Sequence, residues 1–185
     1  MKIEVTEKIQ LLNGRFREQF KEENFACSLK IATSQSELAK KETNDCVVRA
    51  FMCALDIPYD EAHAFIKRNM AREDRKGTYT SIYAKNVIGK VRNSKKITFI
   101  GAHPSRKWMQ TSITGGVNKK VLANKQYKKP TGYTLKSFLE THPIGNFVLV
   151  VEGHAVAIVN GVLFGNSCER FQGLYRSVWY GFQMK

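Results

Sequence analysis

The sequence predicts an α+β domain, and three observations carry that expectation. Apolar residues recur at helical spacing in the first half of the chain, β-rich runs fill the last quarter, and Asn160-Gly161 joins two of those runs as a hairpin turn. The chain has 185 residues, enough for one full domain. Residues 1–33 form an N-terminal arm and 34–185 a single domain, with a basic insertion at about 77–132.

Taking the elements in order, Ile9, Leu12, Phe16 and Phe20 fall at helical intervals with charges between them, which predicts an amphipathic helix in the arm, interrupted at Asn13-Gly14. Ser34-Gln35-Ser36-Glu37 has the form of a capping box and starts a short helix. The best-specified helix runs from Cys46 to Leu55, capped by Asn44 or Asp45 and ended by Asp56-Ile57-Pro58. A second helix spans Tyr59 to Met70, with Ala62, Phe65, Ile66 and Met70 facing inward. A short strand is expected at Ile97-Thr98-Phe99-Ile100, and Thr134 caps a helix from Leu135 to Glu140. Then the period changes: Phe147 to Val151, His154 to Val159, Val162 to Phe164 and Ser177 to Phe182 read as strands.

Net charge is +14, and its distribution is uneven. Between Arg75 and Leu139 there are 15 Lys and Arg and no Asp or Glu, so the rest of the chain is nearly neutral. Such a block attracts polyanions or an acidic partner surface, or serves as a solvated face that aids solubility. Lys95, Lys96, Arg106, Lys107, Lys119, Lys120, Lys128 and Lys129 would carry a nucleic-acid or acidic-partner interface, with Trp108 and Tyr127 able to stack on bases.

No apolar run approaches the ~20 residues of a membrane span, and Met1 to Val5 lacks a secretory pattern. Cys27, Cys46, Cys53 and Cys168, spaced by 19, 7 and 115, form neither a CxxC pair nor a disulfide framework. The expectation is a cytoplasmic protein with reduced thiols. No Cys/His/Asp cluster has metal-ligand spacing, and Thr114-Gly115-Gly116 is too little for a phosphate cradle, so no metal or cofactor is expected.

Cys46 is the candidate nucleophile. A thiolate is the reactive form of cysteine, and the unpaired N–H groups of a helix N-terminus favour it and can hold an oxyanion. The competing reading is a buried, inert thiol, as Cys53 is expected to be two turns further into the core. His154 opens a strand, which would fix an imidazole as a general base. Otherwise it makes an ordinary hydrogen bond at a strand end. Asn166 is the candidate to orient it. With a strict Asn160-Gly161 turn, His154 faces Ser167 instead; a bulge at Gly165 would return Asn166 to the histidine side.

Asn44-Asp45-Cys46-Val47-Val48-Arg49-Ala50 and Tyr59-Asp60-Glu61-Ala62-His63 resemble a group of small papain-like proteins found mostly in phage genomes. The resemblance extends to Pro143, Gly145 to Leu149, Gly153-His154-Ala155-Val156-Ala157-Ile158-Val159-Asn160-Gly161 and the aromatic run Val178 to Phe182, covering roughly 42–76 and 134–183. It implies a papain-like fold and a cysteine hydrolase acting on a peptide, isopeptide or related amide bond, in the host cytoplasm if phage-encoded. Cys46, His154 and Asn166 would form its catalytic set. Two positions depart from the pattern. Gly165-Asn166-Ser167 stands where related sequences often carry an Asp, and Lys40 stands where papain-type peptidases place an oxyanion-hole Gln. Asn44 either supplies that donor or only caps the helix. Either departure also fits a papain-like scaffold without catalysis that binds nucleic acid or a host protein complex through its basic segment.

Overall fold

The computed structural model describes residues 5–10, 16–20, 25–100, 132–165 and 173–185. The fold is α+β: helices pack on a mixed seven-stranded sheet.

The arm departs from its expected helix. Val5–Gln10 (β1) and Phe16–Phe20 (β2) pair antiparallel as a separate two-stranded sheet. The helical spacing of Ile9, Leu12, Phe16 and Phe20 competes with β-branched and aromatic residues flanking Asn13-Gly14, the dipeptide that favours hairpins. Phe25–Ala26 (β3) follows, then helix α1, Ser28–Gln35. The capping motif is shifted from its expected register. Ser36, not Ser34, caps α2 (Glu37–Lys41) by accepting from Ala39 N, while Ser34 Oγ donates to Ile31 O within α1.

Helices α3 (Cys46–Leu55) and α4 (Tyr59–Met70) have their expected bounds. A left-handed Asp56 ends α3, and Pro58 precedes α4. The carbonyls at the α3 C-terminus are taken by side chains: Asn146 Nδ2 donates to Ala54 O at 3.0 Å, Asn93 Nδ2 to Leu55 O at 3.0 Å and Lys95 Nζ to Leu55 O at 3.1 Å. These bonds satisfy acceptors with no intrahelical partner and put a cation at the negative end of the helix dipole. A short helix, α5 (Thr80–Tyr83), leads to β4 (Val91–Arg92) and β5 (Lys95–Ile100).

Helix α6 (Leu135–Thr141) starts in a capping box between Thr134 and Ser137. Strands β6 (Asn146–Val151), β7 (His154–Val159), β8 (Val162–Phe164) and β9 (Val178–Met184) complete the sheet in the order β3-β8-β7-β6-β9-β5-β4. Its pairs are antiparallel except β3 with β8. Val159 pairs with Val162 across the two-residue Asn160-Gly161 turn, whose φ angles of 47° and 83° are those of a type I′ hairpin.

Strand alternation divides the core. Val148, Val150, Ala155, Ala157, Tyr180 and Phe182 join α3 and α4, whereas Phe147, Leu149, Val156 and Ile158 join α6. The small Ala155 and Ala157 let α3 lie across β7, and Phe51 packs between Phe65 and Phe182 at ring separations of 6.1 and 5.5 Å. This packing fixes the N-terminus of α3 beside the turn joining β6 to β7.

Candidate active site

Cys46 and His154 line one cleft of about 530 Å³. Residues from α3, the segment before α5, the β6–β7 turn and β9 meet there. The wall includes Val150, Val151 and Ala155, residues of both strand parities, so the cleft wraps around this end of the sheet.

The loop before Cys46 is fastened from behind. Arg72, whose side chain is 0% exposed, donates to Glu42 Oε2 at 2.6 Å and to the carbonyls of Thr43 and Asn44 at 3.2 Å each, and it also reaches Lys76 O. Thr43 Oγ1 donates to Arg75 O at 2.9 Å. Held this way, Asn44 adopts φ 54° and lines the cleft, with Nδ2 3.4 Å from Arg75 O. A left-handed residue other than glycine is tolerated where its surroundings enforce it.

Asp45 occupies the N-cap position of α3 but makes no side-chain capping bond. Its buried carboxylate instead accepts from Arg49 Nε at 2.8 Å and Tyr59 Oη at 2.8 Å. Burial, reinforced by the Asp45 charge, raises the Tyr59 phenol above its ordinary pKa and keeps it a donor. Arg49 also lines the cleft and donates from Nη1 to Ser28 Oγ at 2.9 Å.

On the opposite wall, His154 Nε2 lies 2.8 Å from the carbonyl oxygen of Gly165. A carbonyl only accepts, so Nε2 carries the proton in this bond. Gly165 has φ 91°, and its N–H donates to Ala26 O at 3.1 Å. A Cβ on Gly165 would stand 3.0 Å from Ser28 Oγ. Thus Asp45, Arg49 and Ser28 lead from the helix that carries Cys46 to the glycine that holds His154.

The rim is aromatic: Tyr79 is 73% exposed, and Trp179 is half-buried. Thr80 and Tyr180 hydroxyls, 2.6 Å apart, tie this rim to β9. Cys53, further along α3, is pushed up to about 12 by burial, which keeps it a protonated packing thiol.

Of the residues expected from sequence, Cys46, His154 and Asn44 meet at this cleft. Asn166 lies outside the described residues, as do Cys168, Arg106, Lys107, Trp108, Lys119, Lys120, Tyr127, Lys128 and Lys129. Lys96 is exposed, but Lys95 is half-buried against the C-terminus of α3, about 14 Å along the helix from Cys46. Sequence reasoning missed Arg49, Ser28 and Arg72. The Asp45-Arg49 spacing of four, acid first, was the signal available for one of them. It also missed an assembled group of possible metal ligands: Glu42, His63 and Asp74 each offer an atom, all within 4.8 Å of one another.

No helix among the described residues is long and apolar enough to cross a membrane. No protein-family model, curated protein or solved structure matches this chain.

Proposed function

We propose that this protein is a cysteine hydrolase of papain-like architecture, cleaving an amide, peptide or isopeptide bond. The observation that carries the reading is the shared cleft. A cysteine at a helix N-terminus and a histidine held by its Nε2 line the same cavity.

In this mechanism Cys46 Sγ attacks the substrate carbonyl as its proton passes to His154. Because Nε2–H is engaged with Gly165 O, proton transfer falls to Nδ1. The oxyanion is held by the Cys46 backbone N–H and by Asn44, at the positive end of the α3 dipole. Collapse of the tetrahedral species breaks the C–N bond, and the leaving amine takes the proton from His154. Water, deprotonated by His154, then attacks the thioester and releases the acid and the thiol. The Gly165 carbonyl supports the imidazole in this scheme. Tyr79 and Trp179 offer flat apolar contact to a substrate chain.

The acid-free block from Arg75 to Leu139 would dock the hydrolase on an acidic protein partner. Within that block Lys96 is exposed, whereas Lys95 is taken up by the carbonyls at the C-terminus of α3.

Iodoacetamide labelling at mildly acidic pH, read by intact mass and peptide mapping, tests the assignment. Cys46 should label faster than a free peptide thiol, and His154→Ala should abolish the advantage. A Cys46 that reacts no faster than the peptide removes the hydrolase reading.

A further inference from the structure

A second site lies behind the loop that carries Cys46, and it is independent of the hydrolase reading. His63, on α4, is 5% exposed, and its Nε2 is buried without a hydrogen-bond partner. Two carboxylates face that nitrogen: Glu42 Oε1 at 3.6 Å and Asp74 Oδ1 at 3.7 Å. These separations are too long for hydrogen bonds, which favour about 2.7–3.2 Å for N–H···O. They suit an ion between the atoms. A tetrahedral cation with bonds of about 2.0–2.1 Å sets its ligand atoms roughly 3.4 Å apart.

We propose that Glu42 Oε1, His63 Nε2 and Asp74 Oδ1 bind one zinc-class divalent cation, with water in the remaining position. The donor set is one imidazole and two carboxylates, which suits such an ion. Each ligand is already directed by a second contact. Glu42 Oε2 accepts from Arg72 Nη2 at 2.6 Å and from Arg75 N at 2.8 Å, leaving Oε1 to turn toward His63. Such supporting contacts orient metal ligands. Lys67 Nζ lies 2.8 Å from Asp74 Oδ1 and 2.9 Å from Oδ2, so on metal binding it retains Oδ2. The Asp74 side chain is 58% exposed, which provides the entry path and room for the water ligand.

The ion would link three separate pieces of chain: the end of α2, the middle of α4 and the turn after α4. Glu42 stands just before Thr43-Asn44-Asp45-Cys46, so the ion would brace the loop that presents Cys46. Its role is structural, through the folded state that alone assembles the ligands.

Cobalt(II) titrated into the full chain, followed by visible absorption and thermal melting, tests this. The expected result is one equivalent bound, with d–d bands, no thiolate charge-transfer band and a higher Tm. Asp74→Asn, at an exposed position that leaves the core intact, should weaken binding by more than about tenfold, as should His63→Gln. Lys67→Ala should keep or tighten it. Absence of stoichiometric binding overturns the site. So do a thiolate band lost on Cys46→Ser, or wild-type affinity in Asp74→Asn. If His63→Gln fails to fold, Asp74→Asn decides the matter alone.

Discussion

His154 Nε2 donates to the carbonyl oxygen of Gly165, eleven residues later, at 2.8 Å. The acceptor is backbone, and Gly165 is itself located by Ala26 and Ser28. A side-chain acceptor brings its own rotamers. A carbonyl held by strand pairing and a packed serine brings almost none, so the imidazole inherits the rigidity of the sheet edge.

Gly165→Ala should therefore disturb His154 without touching it. At φ 91° an alanine is strained by about 1–2 kcal/mol, and its Cβ would press on Ser28 Oγ at 3.0 Å. The expected outcome is a modest loss in urea stability together with slower alkylation of Cys46 in the folded protein. A folded variant that labels at the wild-type rate would show that the Gly165 carbonyl does not orient the base.

Asp45→Asn should be costly for a different reason. The Asp45 side chain is 4% exposed, and the substitution removes the only charge facing Arg49 Nε in that bond. Removing one member of a buried pair costs on the order of 3 kcal/mol, because the other charge stays desolvated. Tyr59→Phe, which deletes one hydrogen bond to the same carboxylate, should cost nearer 1–2 kcal/mol. Urea unfolding of the two variants checks the order. Equal losses would assign the stability to the tyrosine bond rather than to the ion pair.

Legibility in the sequence followed how local each signal was. Helices α3 and α4 and the β7–β8 hairpin rest on apolar periodicity, Pro58 and Asn160-Gly161, all within a few residues, and their bounds are as expected. In the arm, two local signals conflicted: helical spacing of four apolar residues against a hairpin dipeptide, and the described backbone pairs as strands. The acceptor for His154 carried almost no residue signal, since every residue offers a carbonyl. Only the glycine, needed for its positive φ, marked the place. Glu42, His63 and Asp74 are 21 and 11 positions apart, and only the packing of α2 against α4 and the return after α4 makes them neighbours. Nor does spacing reveal that Lys95 is occupied at a helix end rather than offered to a partner.

Cys53 predicts a pH effect. Its folded pKa is raised, to about 12, chiefly by burial, while an unfolded thiol titrates near 8.5. Between those values the folded state binds more protons than the unfolded state, so stability falls as pH rises. The stabilising contribution is fully present below about 8.5 and is lost toward 12. Cys53→Ala should lower stability at neutral pH by removing packing, yet its stability should decline less steeply over that alkaline window. Parallel curves for variant and wild type, from denaturant melts at several pH values, would contradict the assignment.

Arg72 gives the sharpest test of how the fold presents Cys46. Its side chain is 0% exposed and holds Glu42 together with the Thr43 and Asn44 carbonyls. Arg72→Met keeps the buried bulk but leaves the Glu42 carboxylate, 3% exposed, without its guanidinium. The expected cost is about 3–5 kcal/mol. Arg72→Lys restores a charge but cannot match the planar fork that reaches carboxylate and carbonyls at once, so it should recover only part of that loss. Reactivity separates a local from a global role. The loop enforces φ 54° at Asn44, directly before Asp45 and Cys46. In folded Arg72→Lys protein, Cys46 alkylation should slow while Cys53 stays protected, which places the damage in the loop. If Cys53 becomes reactive in step with Cys46, the arginine supports the domain as a whole, and its contacts with Thr43 and Asn44 are incidental to the thiol.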